Sequence, residues 1–195
     1  MKLVLASGNP GKLDELRSLL APLGATVESQ RALGIPGAPE ERPTFVENAL
    51  EKARHAARRS GLPALADDSG LVVPLLGGAP GIHSARYAGE QANDRANNAK
   101  LVAALGDVER PPAHFYAAVV YLRHPEDPAP IVSTGRWHGV IVREPRGDAG
   151  FGYDPHFLVP ELGRTAAELA AAEKNRLSHR GQAMAGLLAQ LRAEL

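Results

Sequence analysis

Short apolar segments alternate with amphipathic segments along the first half of this chain, and this alternation most narrows its possible folds. Residues 2–6 predict a buried strand, and Leu13, Leu16, Leu20 and Leu23 follow it at helical spacing. Strands and helices that alternate in this way build α/β sheets, with the helices packed on the sheet. Two long apolar segments later in the chain predict a hairpin. The sequence therefore predicts an α/β fold with a mixed sheet flanked by helices.

Cap and turn residues set the boundaries of the other predicted elements. Thr44, with Glu47 three residues later, forms a capping box that predicts a helix ending at Gly61. Residues 67–70 predict a tight turn between two short strands. The predicted strands after the first are residues 26–29, 64–66, 71–73, 115–122 and 131–142. The predicted helices are residues 10–23, 44–60, 92–105, a short one capped by Thr165 and a last one from Ser178. Asn93 or Asp94 lies near the cap of the third helix, and the glycine-rich residues 74–91 predict a long loop.

Length, charge and cysteine content limit the classes of function. With 195 residues the chain suits a single domain, residues 1–195, built as two lobes. Its formal net charge is zero, so it lacks the broad basic field that favours nucleic acid or an anionic membrane. The absence of cysteine excludes disulfides and thiolate metal sites, which favours hard cations such as Mg²⁺ or Mn²⁺. We find no signal peptide and no apolar stretch of about 18 residues, so we expect a cytoplasmic protein.

A glycine-containing loop joins the first strand to the first helix, where free N–H groups and the helix dipole favour an anion. Lys12 adds a positive charge, and it stands out because only five of the 22 Lys and Arg residues are lysines. The loop lacks the spacing of a Walker-type phosphate loop, so phosphate binding and an ordinary glycine turn both stay open. Its residues are Ser7, Gly8, Asn9, Pro10, Gly11 and Lys12.

Two adjacent acids, Asp67 and Asp68, follow a predicted strand. Adjacent carboxylates in a tight turn repel each other, so the pair indicates a metal ion or a shared proton. A simple turn is the alternative, because Asp and Ser both suit one. Glu40 and Glu41 form a second acidic pair in a proline-rich loop, and by themselves they indicate solvated surface acids. Lys52, on a helix whose other fixed cations are arginines, is a surface charge unless a ligand needs it.

Residues 150–155 form a glycine-rich loop that carries two aromatic rings and an acid. Phe151 and Tyr153 are able to stack on a nucleobase, an interaction worth roughly 1–3 kcal/mol per base. The alternative is a turn in which Phe151 fills the core. Near the last predicted helix, three cationic or donor side chains suit a phosphate or a base carbonyl, or simply a capped helix start. They are Lys174, His179 and Arg180.

Taken in order, these segments resemble the inosine triphosphate pyrophosphatase family, which removes non-standard purine nucleoside triphosphates. Each segment is weak evidence alone, but seven in the same order and spacing are highly specific. They are residues 7–9 with Lys12, residues 44–53, 66–70, 77–81, 84–87, 150–155 and 178–181. Two departures stand out. Ser7 replaces the commoner Thr, and the Glu40-Glu41-Arg42-Pro43 loop makes Glu41 a rival to Glu40 as a metal ligand.

The resemblance implies a mixed α/β fold of two lobes around a central nucleotide-binding cleft, and a homodimer. It implies Mg²⁺, one or more ions per subunit, with Mn²⁺ as a substitute. Glu40 and Asp68 would hold the metal, and Asp68 would also accept a proton from the attacking water. The residues implied to bind substrate are Ser7, Gly8, Asn9, Pro10, Gly11, Lys12, Lys52, Ser69, Phe151, Gly152, Tyr153, Asp154, Lys174, His179 and Arg180.

On this basis we expect water to attack the α-phosphorus of ITP, dITP or XTP, giving the monophosphate and pyrophosphate and keeping these nucleotides out of DNA and RNA. A donor such as His179 or Arg180, aimed at the 6-oxo group, would favour these bases over adenine. One alternative is a general nucleoside triphosphate pyrophosphatase that acts on modified or pyrimidine nucleotides. The other is a nucleotide sensor without catalysis.

Overall fold

The computed structural model describes residues 2–21 and 24–193. Its strands are β1 (Lys2–Leu5), β2 (Thr26–Ser29), β3 (Ala64–Val72), β4 (Pro112–Leu122), β5 (Ile131–Ile141), β6 (Phe157–Val159) and β7 (Arg164–Thr165). Its α-helices are α1 (Pro10–Leu20), α2 (Phe45–Ser60), α3 (Asp94–Ala104), α4 (Ala171–Leu177) and α5 (His179–Ala193). Within these residues no helix is both long and apolar enough to cross a membrane.

The strands form one seven-stranded sheet in the order β2-β1-β3-β4-β5-β6-β7. Strand β1 runs parallel to both of its neighbours, with Val4 paired to Glu28 of β2 and to Ala64 of β3. Strand β6 runs antiparallel to β5 and to β7. Both directions occur, so the predicted mixed α/β sheet is confirmed.

The chain divides into two compact units. Unit 1 comprises Met1–Asp68, Ala117–Gly135 and Arg180–Leu195, and unit 2 comprises Ser69–Tyr116 and Arg136–His179. The core of unit 1 joins apolar side chains of β1, α1 and α5, among them Leu5, Leu16 and Met184. The core of unit 2 is more aromatic, and Phe115 and Trp137 both pack against Phe157 in it.

The caps predicted from sequence lie where they were expected. The Thr44 hydroxyl accepts a hydrogen bond from the backbone N–H of Glu47 at the start of α2, and Gly61 ends that helix in the left-handed conformation. Asn93 caps α3. Local side-chain chemistry is enough to set such boundaries, because a cap bonds to a backbone group only two or three residues away.

The tight turn predicted at residues 67–70 is wrong. Residues 64–72 form one continuous strand, β3, that carries both aspartates within it. Successive side chains on a strand point to opposite faces, so two neighbouring carboxylates are separated without a turn or a shared proton. The prediction failed because the strand is held by its neighbours in the sheet, a long-range effect that the local Asp-Ser-Gly composition does not reveal.

Other differences lie in the second half of the chain. Strands β6 and β7 and helix α4 were not predicted, and Thr165 caps a 3₁₀ turn, Ala166–Glu168, in place of a short α-helix. The predicted long loop at residues 74–91 contains two 3₁₀ turns. The predicted end of α1 near Leu23 lies outside the described residues.

Candidate active site

The loop after β1 is tied to the first turn of α1. The side chain of Asn9 caps the helix, and its Oδ1 accepts from the backbone N–H of Lys12 at 3.1 Å. The Ser7 hydroxyl accepts from the backbone N–H of Asn9 at 3.3 Å. Pro10 occupies the first helical position, where no N–H is needed. The loop therefore has the form that the sequence predicted for an anion site, a short turn that leads into a helix N-terminus.

Asp67 lies at the centre of a buried ion-pair cluster in unit 1. The Nζ of Lys12 is 2.9 Å from Asp67 Oδ2, and the Nε of Arg180 donates to Asp67 Oδ1 at 3.3 Å. The guanidinium of Arg180 also donates to Glu15. Only 2% of Arg180 is exposed, so its charge is compensated inside the protein by these two acids. The cluster joins α1, β3 and α5.

Asp68 belongs to a second cluster in the same unit. The Nζ of Lys52 donates to Asp68 Oδ1 at 2.9 Å and to Glu40 Oε1 at 3.0 Å. Lys52 is buried, which rules out the solvated surface charge that its sequence context allowed. The other carboxylate oxygen of Asp68, Oδ2, is buried and has no hydrogen-bond partner within the described part of the chain. Glu41, the rival to Glu40, is exposed.

These contacts shift the pKa values of the two neighbouring aspartates in opposite directions. Burial alone would raise the pKa of Asp67, but Arg180 and then Lys12 outweigh it and hold that pKa well below its usual range. Burial raises the pKa of Asp68 above its usual value, and Lys52 opposes the change only in part. Burial would lower the pKa of Lys52, yet Asp68 and Glu40 hold it above its usual value. Asp67 therefore stays an anion, while Asp68 binds a proton more readily than an ordinary aspartate.

The carboxylates of Glu40 and Asp68 both contact the Lys52 ammonium, so they lie close together. Two neighbouring carboxylates suit a divalent metal. Mg²⁺ is commonly held by one or two carboxylates together with substrate phosphates. Among the described residues no group of three or more His, Asp or Glu side chains is arranged to hold a metal. The unpaired Oδ2 of Asp68 is the kind of buried oxygen that a cation or a water satisfies. The residues present therefore fit Mg²⁺ that also takes ligands from a substrate.

Unit 2 contains the glycine-rich loop that the sequence singled out. Asp154 holds this loop from inside, since its Oδ2 accepts from the backbone N–H of Phe151 at 2.9 Å and from Lys174 Nζ at 2.6 Å. The Nζ of Lys174 also lies 4.8 Å from the centre of the Phe151 ring, within cation–π range. Gly150 has a φ of +77°, and a Cβ there would collide with the Asp154 carboxylate. This position therefore requires glycine.

The remaining predicted residues of unit 2 are Ser69, Gly152, Tyr153 and His179. Tyr153 is buried, and its hydroxyl donates to the backbone carbonyl of Ser84 at 2.8 Å. Ser69 is half-buried on β3. The ring of His179 stacks on Phe115, with ring centres 4.8 Å apart and an interplanar angle of 12°. His179 is buried, so its ring is held against an aromatic neighbour. The predicted substrate-binding residues thus divide between the two units, with Ser7 to Lys12, Lys52 and Arg180 in unit 1 and the others in unit 2.

Sequence reasoning missed several polar residues that hold these sites. Glu15 was not singled out, although it lies three residues after Lys12 on the same face of α1, a spacing at which side chains are neighbours. Asp94 was noted only as a possible cap, and Asn98 not at all. Both bond to Gly152. An asparagine inside a helix is unfavourable, so Asn98 was the available signal.

The chain matches known proteins over nearly its whole length. The Ham1 family model matches residues 3–190. The chain is 59% identical over 194 residues to a dITP/XTP pyrophosphatase of Ralstonia nicotianae, covering 98% of this chain and 96% of the relative. A dITP/XTP pyrophosphatase of Xanthomonas axonopodis is also 59% identical, with 98% of each chain covered. The solved structure of a HAM1 protein from Coxiella burnetii superposes with a TM-score of 0.90 at 47% identity, covering all of both chains.

Proposed function

Because this chain belongs to the Ham1 family, we propose that it hydrolyses the non-canonical purine nucleoside triphosphates dITP, XTP and ITP to the monophosphate and pyrophosphate. Its curated relatives carry the name dITP/XTP pyrophosphatase. The observation that supports the chemistry best is the pair of neighbouring aspartates on β3, one held as an anion by two cations and the other left with a buried, unpaired oxygen.

Asp68 is the proposed proton acceptor for the attacking water. Its pKa is raised by burial, and a base whose pKa lies closer to the working pH transfers protons more effectively. Its Oδ1 is held by Lys52 at 2.9 Å, which fixes the carboxylate and leaves Oδ2 for the water. Asp67 has a different proposed role. It stays an anion and thereby keeps Lys12 and Arg180 in place.

Glu40 and Asp68 are the proposed ligands of Mg²⁺, one or more ions per subunit, with Mn²⁺ as a substitute. When bound, such an ion lowers the pKa of a coordinated water and neutralises charge that develops on the phosphates. Glu40 is favoured over Glu41 because its carboxylate lies 3.0 Å from the Lys52 ammonium that Asp68 also contacts. Both carboxylates are therefore oriented before the metal arrives.

Three lysines are the proposed contacts of the triphosphate and of the leaving pyrophosphate. Lys12, Lys52 and Lys174 each pair with an aspartate at 2.9 Å or less. A cation held in this way is charged and already oriented, so it stabilises negative charge in the transition state with little reorganisation. Ser7, Asn9 and Ser69 supply further hydrogen-bond donors to this proposed phosphate site.

The purine base is proposed to stack on Phe151, whose loop Asp154 holds in place through the Phe151 N–H and Lys174. A donor aimed at the 6-oxo group would favour hypoxanthine and xanthine and leave adenine mispaired. His179 is the better candidate for this donor, because the Arg180 guanidinium is already engaged by Asp67 and Glu15. Arg180 would then act on the reaction through Asp67. The proposal also includes a homodimer and a cytoplasmic location.

The test is pyrophosphate release from ITP, dITP, XTP, GTP, ATP and a pyrimidine triphosphate, measured with Mg²⁺ and with a chelator. We expect rapid, Mg²⁺-dependent release from the inosine and xanthine nucleotides and little from ATP, because a donor to the 6-oxo group separates these bases from adenine. Guanine shares the 6-oxo group, so a low rate with GTP requires a separate rejection of its 2-amino group. Comparable release from every triphosphate would favour a general pyrophosphatase. Binding of ITP without any release would favour a nucleotide sensor.

A further inference from the structure

Two side chains on one face of helix α3 bond to the backbone of Gly152, one to its N–H and one to its carbonyl. The carboxylate of Asp94 accepts from the backbone N–H of Gly152 at 2.6 Å. The side-chain amide of Asn98 donates to the backbone carbonyl of Gly152 at 2.8 Å. Asp94 and Asn98 are four residues apart, so they lie one above the other on the helix. Their two bonds therefore set the position and tilt of a single peptide segment in the glycine-rich loop.

Asn98 is an unexpected residue for its position. It lies inside a helix, where asparagine is unfavourable, and only 9% of it is exposed. Its Oδ1 is buried and has no hydrogen-bond partner among residues 2–21 and 24–193. An apolar side chain would avoid the cost of that unpaired oxygen. What an apolar side chain could not provide is the bond from Nδ2 to the Gly152 carbonyl.

The loop needs such support because its backbone is irregular. Gly150 and Gly152 have φ values of +77° and +63°, so neither belongs to a helix or a strand. Asp154 and Lys174 hold the loop on the Phe151 side. The bonds from α3 hold it at Gly152, the next residue, and together these contacts hold the backbone on both sides of the Phe151 side chain.

We propose that Asp94 and Asn98 are positioning residues that set the Gly152 peptide and so orient Phe151 for the nucleotide. This inference rests on the proposed function, in which the loop binds the base. Neither residue touches the reacting phosphates in this proposal. Their effect is on how well the base is held, and it should appear in KM for ITP more than in kcat.

Asn97 provides a matched control one residue away. Its Nδ2 donates to the carbonyl of Ala85 at 3.1 Å, and its Oδ1 accepts from the N–H of Ala88 at 2.8 Å. It is buried as Asn98 is, yet it holds a different segment. An Asn97→Ala variant therefore reports what the loss of a buried asparagine from α3 does in general.

The experiment compares Asn98→Ala, Asp94→Ala, Asp94→Asn and Asn97→Ala with the full-length unsubstituted protein. Hydrogen exchange measured by mass spectrometry follows the peptides that span residues 147–156 and 83–90, without nucleotide. We expect Asn98→Ala and Asp94→Ala to speed exchange in residues 147–156 by about tenfold, as local opening becomes easier. Asn97→Ala should speed exchange in residues 83–90 instead. Asp94→Asn keeps an acceptor oxygen and should exchange nearly as the unsubstituted protein does.

Steady-state kinetics with ITP complete the test. We expect KM to rise about tenfold in Asn98→Ala and Asp94→Ala with kcat within about twofold of the starting value, since uniform binding is what is lost. Asp94 is exposed, so its variants should fold even if Asn98→Ala does not.

Two results would overturn the inference, and they differ in what they imply for the proposed function. Unchanged exchange in residues 147–156 would show that α3 does not hold the loop, whatever the protein hydrolyses. Faster exchange with an unchanged KM would show that the loop is held but does not bind the nucleotide. That second result would also remove the loop from the proposed function, which the substrate panel tests separately on the unsubstituted protein.

Discussion

Two neighbouring residues of one type have acquired different properties here. Asp67 and Asp68 follow each other on β3, and the alternation of a strand directs them to different partners. Asp67 contacts two cations and remains charged, whereas Asp68 contacts one cation that it shares with Glu40. The chemistry of a carboxyl group is thus decided by its surroundings, and Asp68 keeps an oxygen that has no hydrogen-bond partner in the described part of the chain.

Replacement of Asp68 by asparagine should abolish most of the proposed activity. We expect Asp68→Asn to lower kcat for ITP by about 10²–10⁴-fold, the usual contribution of a general base, with an unchanged circular dichroism spectrum. Asp14→Asn, which alters an exposed acid on α1, is the control and should keep full activity. Turnover of Asp68→Asn near the level of the control would end the assignment of Asp68 as the base.

The raised pKa of Asp68 can be measured in the metal-free protein. We expect NMR of its carboxyl carbon to give a pKa above the ordinary aspartate value of about 3.9, because burial disfavours the charged form. Removal of the opposing cation in Lys52→Met should raise that pKa further. An unchanged pKa in Lys52→Met would contradict the link between the two groups.

Glu40 and Glu41 can be separated as metal ligands by titration. We expect Glu40→Gln to raise the Mg²⁺ concentration needed for half-maximal ITP hydrolysis by about tenfold or more, because one oxygen ligand loses its charge. Glu41→Gln should leave this concentration unchanged, since Glu41 is exposed and lies outside the Lys52 cluster. The reverse pattern would make Glu41 the ligand.

At the scale of elements, helices carry the charged side chains to β3. Helix α1 contributes Lys12, α2 contributes Lys52 and α5 contributes Arg180, each to an aspartate of that strand. The ends of these helices therefore matter to the site. For α2 the start is defined by Thr44, whose hydroxyl accepts from the N–H of Glu47 at 3.3 Å.

Loss of the α2 cap should cost stability without touching the charged clusters directly. We expect Thr44→Ala to lower the free energy of unfolding by about 0.5–2 kcal/mol, the range measured for N-cap replacements. Urea unfolding followed by circular dichroism measures this change. Ser18→Ala, at an exposed position inside α1, should not lower stability because alanine favours a helix interior. Equal stability of Thr44→Ala and the unsubstituted protein would show that the cap does not stabilise α2.

At the scale of the whole molecule, the buried Asp67 cluster links stability to pH. The pKa of Asp67 is lower in the folded protein than in the unfolded chain. The stability that it contributes is therefore fully present above about pH 4 and is lost as pH falls toward its folded pKa. Arg180 and Lys12 stay charged over this range, so the loss follows the protonation of the carboxylate.

Asp67→Asn tests this linkage. At pH 7 we expect it to lower the free energy of unfolding by about 3–5 kcal/mol, because buried Arg180 loses the charge that compensates it. The gap between variant and unsubstituted protein should narrow as pH falls below about 4, because the unfolded chain then binds a proton at this carboxyl while the folded protein does not. Urea unfolding at pH 7, 5 and 3 provides the comparison, with Asp107→Asn as an exposed control. A gap of the same size at pH 3 and pH 7 would contradict a role for the charge.

The sequence by itself determined what depends on neighbours along the chain. Caps such as Thr44 and Asn93, the amphipathic stripe of α1 and the turn that leads into it act over a few residues, so they were predictable. The ordered segments also predicted the family, which the comparisons confirm. A single domain spanning residues 1–195 and the individual roles of the site residues remain predictions.

Only the tertiary structure decided which charged side chains form ion pairs with one another. Arg180 reaches Asp67 across 113 residues of sequence, and Lys52 reaches Asp68 across 16. The same holds for β3, which is continuous because β1 and β4 lie on either side of it. Such contacts depend on how the sheet brings distant segments together, and no local pattern contains them. The sequence therefore identified the two aspartates as candidates, but only the fold gave them different partners and different pKa values.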